Sequence, residues 1–397
     1  MTINKRELLS LGLATAAAAA VPSLATAQAK KSAGPKEDIV LGASMPLTGV
    51  FAFAGIAIDM GIKDYMSILN AGGGVMGRQV KYIPEDTAYK VDQSMAVFKR
   101  LTSQNKVNLY YADSTGFCKA VNPELERNGQ ILMTGASFAK EISNADRYPT
   151  QFMVGPDYAE MVGILLRYIK NTKPGAKVAL VYSDTEFGRD PVEAFRADTK
   201  ALGLQVAVEI VTPPGSVDVS AEVVKLRRAD PDYTIFHGYV SAPIPEFINQ
   251  AKSLGLKTQF MGTFWTMDKT TVMRMGPNAD GFLGVMPYNY YDGDGKGAML
   301  DKIREMRKEY VGSGYMQGFL AAKLLTEAAR RTLAAGNELN GKNMKIALSS
   351  IRGFDTGGII GVPLSIKGNS IPIGRIYRAD FKAQKMVAAS DWINLQT

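Results

Sequence analysis

The chain contains little of the chemistry that metal sites and nucleophilic active sites use. Among its 397 residues there is one cysteine, Cys118, and one histidine, His237. A single cysteine excludes an intramolecular disulfide, and one cysteine with one histidine cannot supply an ordinary zinc site. A catalytic triad would have to use His237, which ends an apolar segment, and no G-x-S-x-G elbow is present. We therefore expect no metal or other cofactor, and a structural or cleft-lining role for His237.

Charge of one sign is not concentrated in any part of the chain. The net charge is +8, but lysine and arginine are spread along the sequence and form no basic stripe with interleaved aromatic residues. Nucleic acid is therefore not an expected partner. Hydrophobic residues make up 46% of the chain and charged residues 21%, as is ordinary for a globular protein. A chain of this length suits two domains.

The only long apolar run lies near the N-terminus and predicts export. Lys5 and Arg6 precede an apolar stretch at residues 8–21, and residues 25–27 form an A-x-A cleavage signal. The stretch is shorter than the roughly 20 residues of a membrane span, which favours a signal peptide at 1–27 over an anchor. No cysteine lies near the cleavage site to carry a lipid, and the sequence leaves the Sec and twin-arginine routes open. We expect a periplasmic protein.

Apolar segments of strand length alternate with segments of helical periodicity along the rest of the chain. The first set of predicted strands covers residues 39–44, 79–84, 107–112 and 131–134, with helices at 55–70, 92–104 and 116–128. The second set covers residues 177–182, 205–212, 233–237 and 259–262, with helices at 158–171, 191–202, 219–228 and 245–254. Strands separated by helices pair in parallel through right-handed crossovers. The sequence thus predicts an α/β fold of two doubly wound parallel-sheet lobes.

The last third of the chain is less regular. Its periodicity predicts helices at residues 298–310, 318–335 and 343–349. The tail has hairpin-like spacing, with strand-like segments at 362–366, 375–380 and 386–393. This tail predicts antiparallel strands that follow the alternating sets.

Small polar residues follow two predicted strands of the first set, where open α/β sheets bind ligands. Ser114, Thr115 and Gly116 follow the third strand and open a helix, so their hydroxyl and N–H groups suit a ligand carboxylate. Ser137 and Phe138 follow the fourth strand and offer a hydroxyl and an aromatic wall. The alternative roles are ordinary helix caps for the hydroxyls and a core position for Phe138.

Aromatic residues recur directly after other predicted strands. Phe51 and Phe53 lie in the turn after the first strand of the chain. In the second set, the residues that follow strands are Phe187, Tyr239, Phe264 and Trp265. Each of these side chains alone is more often buried in a core, but their recurrence at strand ends favours an apolar ligand site.

Six segments, in this order, resemble a known family. They are PLTGVFAFAG (46–55), NAGGGVMGRQV (70–80), ILMTGAS (131–137), SDTEFGRD (183–190), INQAKSLGLKTQFMGT (248–263) and SDWI (390–393). The chain resembles the type I periplasmic substrate-binding proteins of the branched-chain amino acid (leucine/isoleucine/valine-binding) ABC-transporter class. The resemblance implies two lobes joined by three hinge strands, with crossings near Gly155, Val285 and Gly353. It places lobe 1 at residues 36–155 plus 286–352 and lobe 2 at 156–285 plus 353–397.

The resemblance implies a binding protein rather than an enzyme. Such a protein closes its lobes around a small carboxylate and delivers it to an ABC permease in the inner membrane. The resemblance also places the ligand carboxylate at the turn of Ser114 and Thr115. We expect the chain to act as a monomer.

One position departs from the pattern of the amino-acid-binding members. These carry an acidic residue near the position of Phe264, which holds the ligand ammonium group, whereas this chain has no acid there until Asp268. A buried ammonium without a carboxylate partner would cost on the order of several kcal/mol. The aromatic set therefore predicts an apolar or aromatic carboxylate as the ligand. A hydrophobic amino acid remains the alternative, with Asp113, Asp184 or Glu186 as the substitute acid.

Other function classes stay open at this point. A sensor that docks to a membrane receptor would have the same lobes, and a secreted enzyme would be identified by a turnover assay. A DNA-binding regulator of this fold is disfavoured because the export signal occupies the N-terminus, where a helix-turn-helix would lie.

Overall fold

A computed structural model describes residues 36–366 and 368–395 of the chain. The predicted signal peptide at residues 1–27 lies outside the described residues. Within the described part, the helices cover two β-sheets, and no helix there combines the length and apolarity needed to cross a membrane.

The first sheet is parallel throughout the described residues. Its strands are β1 (Ile39–Met45), β2 (Val80–Asp86), β3 (Val107–Ala112) and β4 (Leu132–Gly135), in the order β2-β1-β3-β4. The connecting helices are α1 (Ala52–Ala71), α2 (Val91–Gln104), α3 (Thr115–Ala120) and α4 (Asn122–Asn128). The strand order reverses after β2, so right-handed crossovers place α1 on one face and α2 to α4 on the other. The central strand β3 is buried along its length, as expected for a strand covered on both faces.

The second sheet begins with parallel strands in the order β6-β5-β7-β8-β9. Its elements are α5 (Tyr158–Thr172), β5 (Lys177–Ser183), α6 (Glu186–Arg189), α7 (Val192–Ala201), β6 (Gln205–Thr212), α8 (Ser220–Ala229), β7 (Tyr233–His237), α9 (Ile244–Ser253), β8 (Gln259–Gly262), α10 (Lys269–Met273) and β9 (Leu283–Met286). Short 3₁₀ helices lie at Lys140–Ser143, Phe264–Met267 and Gly276–Ala279.

Antiparallel strands from the C-terminal tail extend the parallel set of the second sheet, in line with the hairpin-like spacing of that tail. β10 (Ile373–Asp380) pairs antiparallel with β9, β11 (Lys385–Ala388) pairs antiparallel with β10, and β12 (Ile393–Asn394) also pairs with β10. Short connections join β10 to β11 and β11 to β12, which permits antiparallel pairing, whereas β9 and β10 are separated in sequence by the C-terminal helices. The α/β class with doubly wound lobes is confirmed, with a mixed second sheet.

The C-terminal helices return to the first sheet. They are α11 (Ala298–Met306), α12 (Gly314–Ala334) and α13 (Gly341–Ser349). α12 packs against α1, and α13 packs against β4 and α12. The chain therefore crosses to the second sheet and back before it ends in β10 to β12.

After α13, residues beyond Gly353 still contact the first lobe. Asn369 Nδ2 donates to the carbonyl oxygens of Ile142 (2.8 Å) and Tyr148 (2.9 Å), and the Ile371 N–H donates to Gly155 O (3.1 Å). Ile373 then begins β10 of the second sheet. We therefore propose that the third crossing lies at residues 371–373.

Most predicted elements are confirmed, and β3, β6, β7 and β8 have the predicted bounds. The helix predicted at 116–128 is two helices, because Pro123 has no N–H to continue the i→i−4 ladder. No strand forms at 362–366, where only an isolated bridge joins Phe354 to Leu364, and Pro363 lacks a donor for a ladder. α11 ends at Met306, because Arg307 leaves the helix and its guanidinium binds the Asp64 carboxylate through two hydrogen bonds of 2.7 and 2.8 Å.

Glycines set the distance between α1 and α12. A Cβ at Gly61 would overlap the carbonyl oxygen of Tyr315, and a Cβ at Gly318 would overlap that of Ile58. The absence of side chains at these positions lets the two helix backbones approach closely. Tyr315 also donates its hydroxyl to the Asp64 carboxylate (2.8 Å), which fixes the start of α12 on α1.

We predict that Gly318→Ala lowers the free energy of unfolding by about 2 kcal/mol or more, because the methyl group forces the helices apart. The matched control is Gly163→Ala in α5, where the nearest atoms to a new Cβ are side-chain atoms at 3.5 Å. That change should be neutral or stabilise by up to about 1 kcal/mol through helix propensity. Urea unfolding monitored by circular dichroism measures both values, and equal effects of the two substitutions would contradict the packing argument.

Candidate functional site

A cavity lies where the carboxyl ends of the strands of both sheets meet. The space inside its wall, with open solvent at the mouth included, is about 340 Å³. Nine lining residues come from the first lobe and the start of α5, mostly from turns that follow strands. They are Pro46, Phe51, Ala54, Ile58, Tyr89, Asp113, Thr115, Ala136 and Tyr158. Turns of the second sheet contribute Phe187, Val240 and Trp265.

Five of the twelve residues that line the cavity are aromatic. The ring of Phe51 contacts that of Tyr89 with a centroid distance of 4.2 Å, and Tyr158 contacts Phe187 at 5.0 Å. Trp265, which lies shortly after the end of β8, also lines the cavity. Ala88 and Tyr89 both have left-handed backbone conformations, with φ of 49° and 63°. These values are uncommon for residues other than glycine, and such strain is often found at ligand sites.

The polar groups of the wall come from the turns after β3 and β4. Thr115 lines the cavity, and its hydroxyl is hydrogen-bonded to that of Ser137 (2.9 Å). Ser114 caps α3, since its Oγ accepts from the N–H of Phe117 (3.3 Å). The start of α3 leaves the N–H groups of Thr115 and Gly116 without intrahelical acceptors.

Asp113 is the acidic group of this wall. Its side chain is buried, with 1% of the residue surface exposed. Its carboxylate accepts hydrogen bonds from the hydroxyls of Thr87, Ser94 and Ser114, the last two at 2.7 and 2.9 Å. Burial raises its pKa above the ordinary value. No ion pair joins Asp113 to a basic side chain among the described residues.

The other predicted acids lie outside the cavity. Asp184 is about half exposed and pairs with Arg189 (2.5 Å), and Glu186 is largely exposed and pairs with Lys119 (3.1 Å). Of the acids proposed as a substitute for the ammonium partner, only Asp113 lines the cavity in the described structure.

Of the predicted site residues, Thr115, Phe187 and Trp265 line the cavity directly. Phe138 and Phe264 are fully buried behind the wall, where their rings contact each other (5.7 Å). Ser114 and Ser137 support the turns that carry Asp113 and Thr115.

The remaining predicted residues lie further away. Phe53 is 38% exposed on the first turn of α1, and its neighbour Phe51 faces the cavity instead. Tyr239 is buried, is hydrogen-bonded to the Thr212 hydroxyl (2.8 Å), and lines an adjacent groove. Gly116 lets α3 approach α2, because a Cβ there would lie 2.9 Å from Val91.

Sequence reasoning missed several wall residues, above all Tyr89 and Tyr158. Tyr89 follows β2, so the pattern of an aromatic residue after a strand, already applied elsewhere, would have identified it. Tyr158 follows Asp157, which caps α5 in a capping box with Glu160. That motif marks the start of a helix and carries no signal that the next side chain faces a ligand.

Contacts across the cleft join the lobes beside the cavity. Lys119 of α3 pairs with Glu186 of α6, and the N–H of Lys140 donates to the Asp190 carboxylate (3.0 Å). Burial raises the pKa of Asp190 to about 7. These contacts hold α3 and the 3₁₀ helix after β4 against α6 and the residue that follows it.

His237 supports the wall from behind. Its Nε2 lies 2.9 Å from Phe187 O, and its Nδ1 lies 2.8 Å from Thr263 Oγ1. A carbonyl only accepts, so Nε2 carries the proton, and the Thr263 hydroxyl donates to Nδ1. The imidazole also contacts the rings of Tyr158 (4.7 Å) and Phe187 (4.9 Å). Burial lowers its pKa to about 3, so the imidazole is neutral and holds Phe187 in place.

Comparison with known proteins yields a family match and close structural relatives. A family model described as periplasmic binding protein matches residues 38–384. The Leu/Ile/Val-binding protein of Escherichia coli (strain K12) is 24% identical over 300 residues, which are 76% of this chain and 79% of that protein.

Solved structures share the fold over nearly the whole chain. A branched chain amino acid ABC transporter from Thermus thermophilus with bound valine has a TM-score of 0.83 and 25% identity, covering 91% of this chain and 97% of its own. A solute binding protein of an ABC transporter from Rhodopseudomonas palustris BisB5, in complex with 3,4-dihydroxy benzoic acid, has a TM-score of 0.76 and 21% identity. It covers 90% of this chain and 97% of its own.

We predict that His237 makes stability fall as the pH is lowered. Its pKa is about 3 in the folded chain and 6.5 ordinarily, so between these values only the unfolded state binds the proton. The free energy of unfolding should therefore lose about 1.4 kcal/mol per pH unit below pH 6.5 from this group. Urea unfolding of the wild type and of His237→Gln between about pH 7 and pH 5 measures the difference in slope. Equal slopes in the two proteins would show that His237 is not buried in its neutral form.

Proposed function

We propose that this chain, which belongs to the periplasmic binding protein family, captures a small apolar or aromatic carboxylate between its lobes for an ABC importer. The family membership confirms the resemblance seen in the sequence motifs. The observation that carries the ligand proposal is the cavity itself. Its wall is mostly apolar, five of its twelve residues are aromatic, and in the described structure no lysine or arginine lines it.

The aromatic rings would bury the body of the ligand. Phe51 and Tyr89 form one pair of contacting rings in the wall, and Tyr158 and Phe187 form another. Trp265, which follows β8, adds a fifth aromatic ring. Apolar burial of this kind supplies roughly 25 cal/mol for each Å² removed from water. Neutral donors would hold the carboxylate group, chiefly the Thr115 hydroxyl and the N–H groups at the start of α3.

Hinge closure would couple capture to delivery. The cavity takes its wall from both lobes, so a ligand contacts all of it only when the lobes are together. A ligand that binds the closed form better shifts the population toward that form. We propose that a permease in the inner membrane recognises the closed spacing of the lobes, and that the protein acts in the periplasm as a monomer.

A hydrophobic amino acid is the second candidate ligand, and Asp113 is the observation that favours it. An ionised Asp113 would provide the carboxylate partner that a buried ammonium needs. The solved relatives bear on both candidates, because one contains bound valine and another contains 3,4-dihydroxy benzoic acid. The fold therefore accommodates ligands with and without an α-ammonium group.

Ligand pairs that differ only in the α-ammonium group separate the two candidates. The pairs are 3-phenylpropanoate with phenylalanine and 4-methylpentanoate with leucine. We expect the acids to raise the melting temperature of protein freed of carried-over ligand by unfolding and refolding, and the amino acids to have little effect. At about 100 times the dissociation constant, a ligand adds about 2.7 kcal/mol to stability. Stabilisation by the amino acids alone would favour the second candidate.

The two tryptophans of the chain provide a matched control for the location of binding. Trp265→Ala should weaken the binding of 3-phenylpropanoate at least about tenfold, because it removes buried apolar wall. Trp392 lies beside Gly361 and Arg375, away from the cavity, so Trp392→Ala should leave the affinity unchanged. Equal effects of the two substitutions on affinity, measured by calorimetry, would place the ligand elsewhere.

A further inference from the structure

Asp113 is surrounded by hydroxyl groups that have a choice of acceptors. The Thr87 hydroxyl lies near one carboxylate oxygen, Oδ2, and also 3.2 Å from Met45 O. The Ser94 hydroxyl lies 2.7 Å from the same Oδ2 and 2.9 Å from Lys90 O. Each hydroxyl has one proton and can donate it to one acceptor at a time. Both therefore have two alternative hydrogen-bonding states.

This arrangement fits either charge state of Asp113. When the carboxylate is ionised, both hydroxyls donate to Oδ2. When Oδ2 carries a proton, it donates to one hydroxyl, and that hydroxyl donates to its backbone carbonyl instead. Ser114 donates to Oδ1 (2.9 Å) in both states, because Oδ1 carries no proton in either, and the Ser114 oxygen accepts from the Phe117 N–H. No group in the network is left without a partner when the proton arrives.

Within the part of the chain that the structure describes, no basic side chain forms an ion pair with Asp113. The titratable side chains near it are Tyr89, Tyr110 and Cys118, and burial raises the pKa of each, so all are neutral near pH 7. A ligand carboxylate at Thr115, two residues along the chain, would meet the Asp113 carboxylate in a closed cavity. Two carboxylates that share one site cannot both remain ionised at ordinary pH, and they retain one proton between them.

We propose that Asp113 takes up a proton from solvent when an anionic ligand enters, so that the protein binds a carboxylate together with one proton. This proposal rests on the proposed function, because it requires a ligand that lacks an ammonium group. Without ligand, the Asp113 carboxylate is ionised and is held by the hydroxyls of Thr87, Ser94 and Ser114. In the closed form the protonated acid presents a neutral group to the ligand anion.

Proton uptake makes affinity depend on pH in a fixed direction. Where free Asp113 is ionised and bound Asp113 is protonated, affinity for the anion rises by up to about tenfold for each unit that the pH falls. Asp113 thereby determines specificity, since a zwitterionic amino acid would pair with the ionised acid and would bind without proton uptake.

Calorimetry with 3-phenylpropanoate in buffers of different ionisation enthalpy counts the protons taken up. At about pH 7.5 we expect close to one proton for each ligand bound to the wild type, and none for Asp113→Asn. The variant should bind the acid at about pH 7.5 at least as tightly as the wild type, with an affinity that does not change down to about pH 5.5. Asp184→Asn, at an exposed acid outside the cavity, should behave like the wild type.

The outcomes separate this inference from the proposed function. If the wild type binds no apolar or aromatic acid at any pH, the proposed function itself fails. If it binds the acid with no proton uptake and no pH dependence, the role of Asp113 is overturned while the proposed function stands. Because burial also raises the pKa of Asp190 at the cleft, the count is repeated with Asp190→Asn, and proton uptake that persists in that variant belongs to Asp113 even if Asp113→Asn does not fold.

Discussion

The close contact of α12 with α1 is the constraint on which the two-lobed arrangement depends. Gly61 and Gly318 carry no side chains at the crossing, and Asp64 receives both Arg307 and Tyr315 at the start of α12. α12 follows the parallel strands of both sheets in the sequence. Its attachment to α1 therefore brings the chain back to the first sheet, and the chain crosses again to reach β10. The strand ends of the two sheets are held opposite each other as a result, and the cavity lies between them.

The chemistry of the cavity follows from this placement. Turns at strand ends supply aromatic rings and neutral donors, and the described wall has no basic residue. In such a site apolar contacts hold the body of the ligand. The protonation state of one buried acid then determines whether an anionic or a zwitterionic ligand binds. Asp113 can be ionised or protonated, because the hydroxyls of Thr87 and Ser94 can change their hydrogen bonds to fit either state. His237 takes no part in this chemistry and acts through Phe187.

Much of the fold could be predicted because its signals are local. Apolar runs and helical periodicity located β3, β6, β7 and β8 without error, and turn residues after strands pointed to Thr115, Phe187 and Trp265. The start of α12 was predicted four residues late, at residue 318, because no local signal shows that Gly314 opens the helix where it contacts α1.

The rest of the site depends on long-range geometry. Phe264 and Trp265 are adjacent, and the 3₁₀ turn that contains them directs one ring into the core and the other to the cavity. No local pattern distinguishes the two. The hydroxyls around Asp113 come from the turn after β2, from α2 and from the start of α3, and only the folded chain brings them together.

The distance between the lobes tests the central claim most directly. Lys99 on α2 and Lys225 on α8 are exposed and lie outside the cavity, so spin labels can be attached to cysteines substituted at these positions. Pulsed electron resonance would give the distance distribution with and without 3-phenylpropanoate. The account predicts a shorter and narrower distribution when the ligand is bound. A ligand that binds tightly and leaves the distribution unchanged would contradict capture by closure of the lobes.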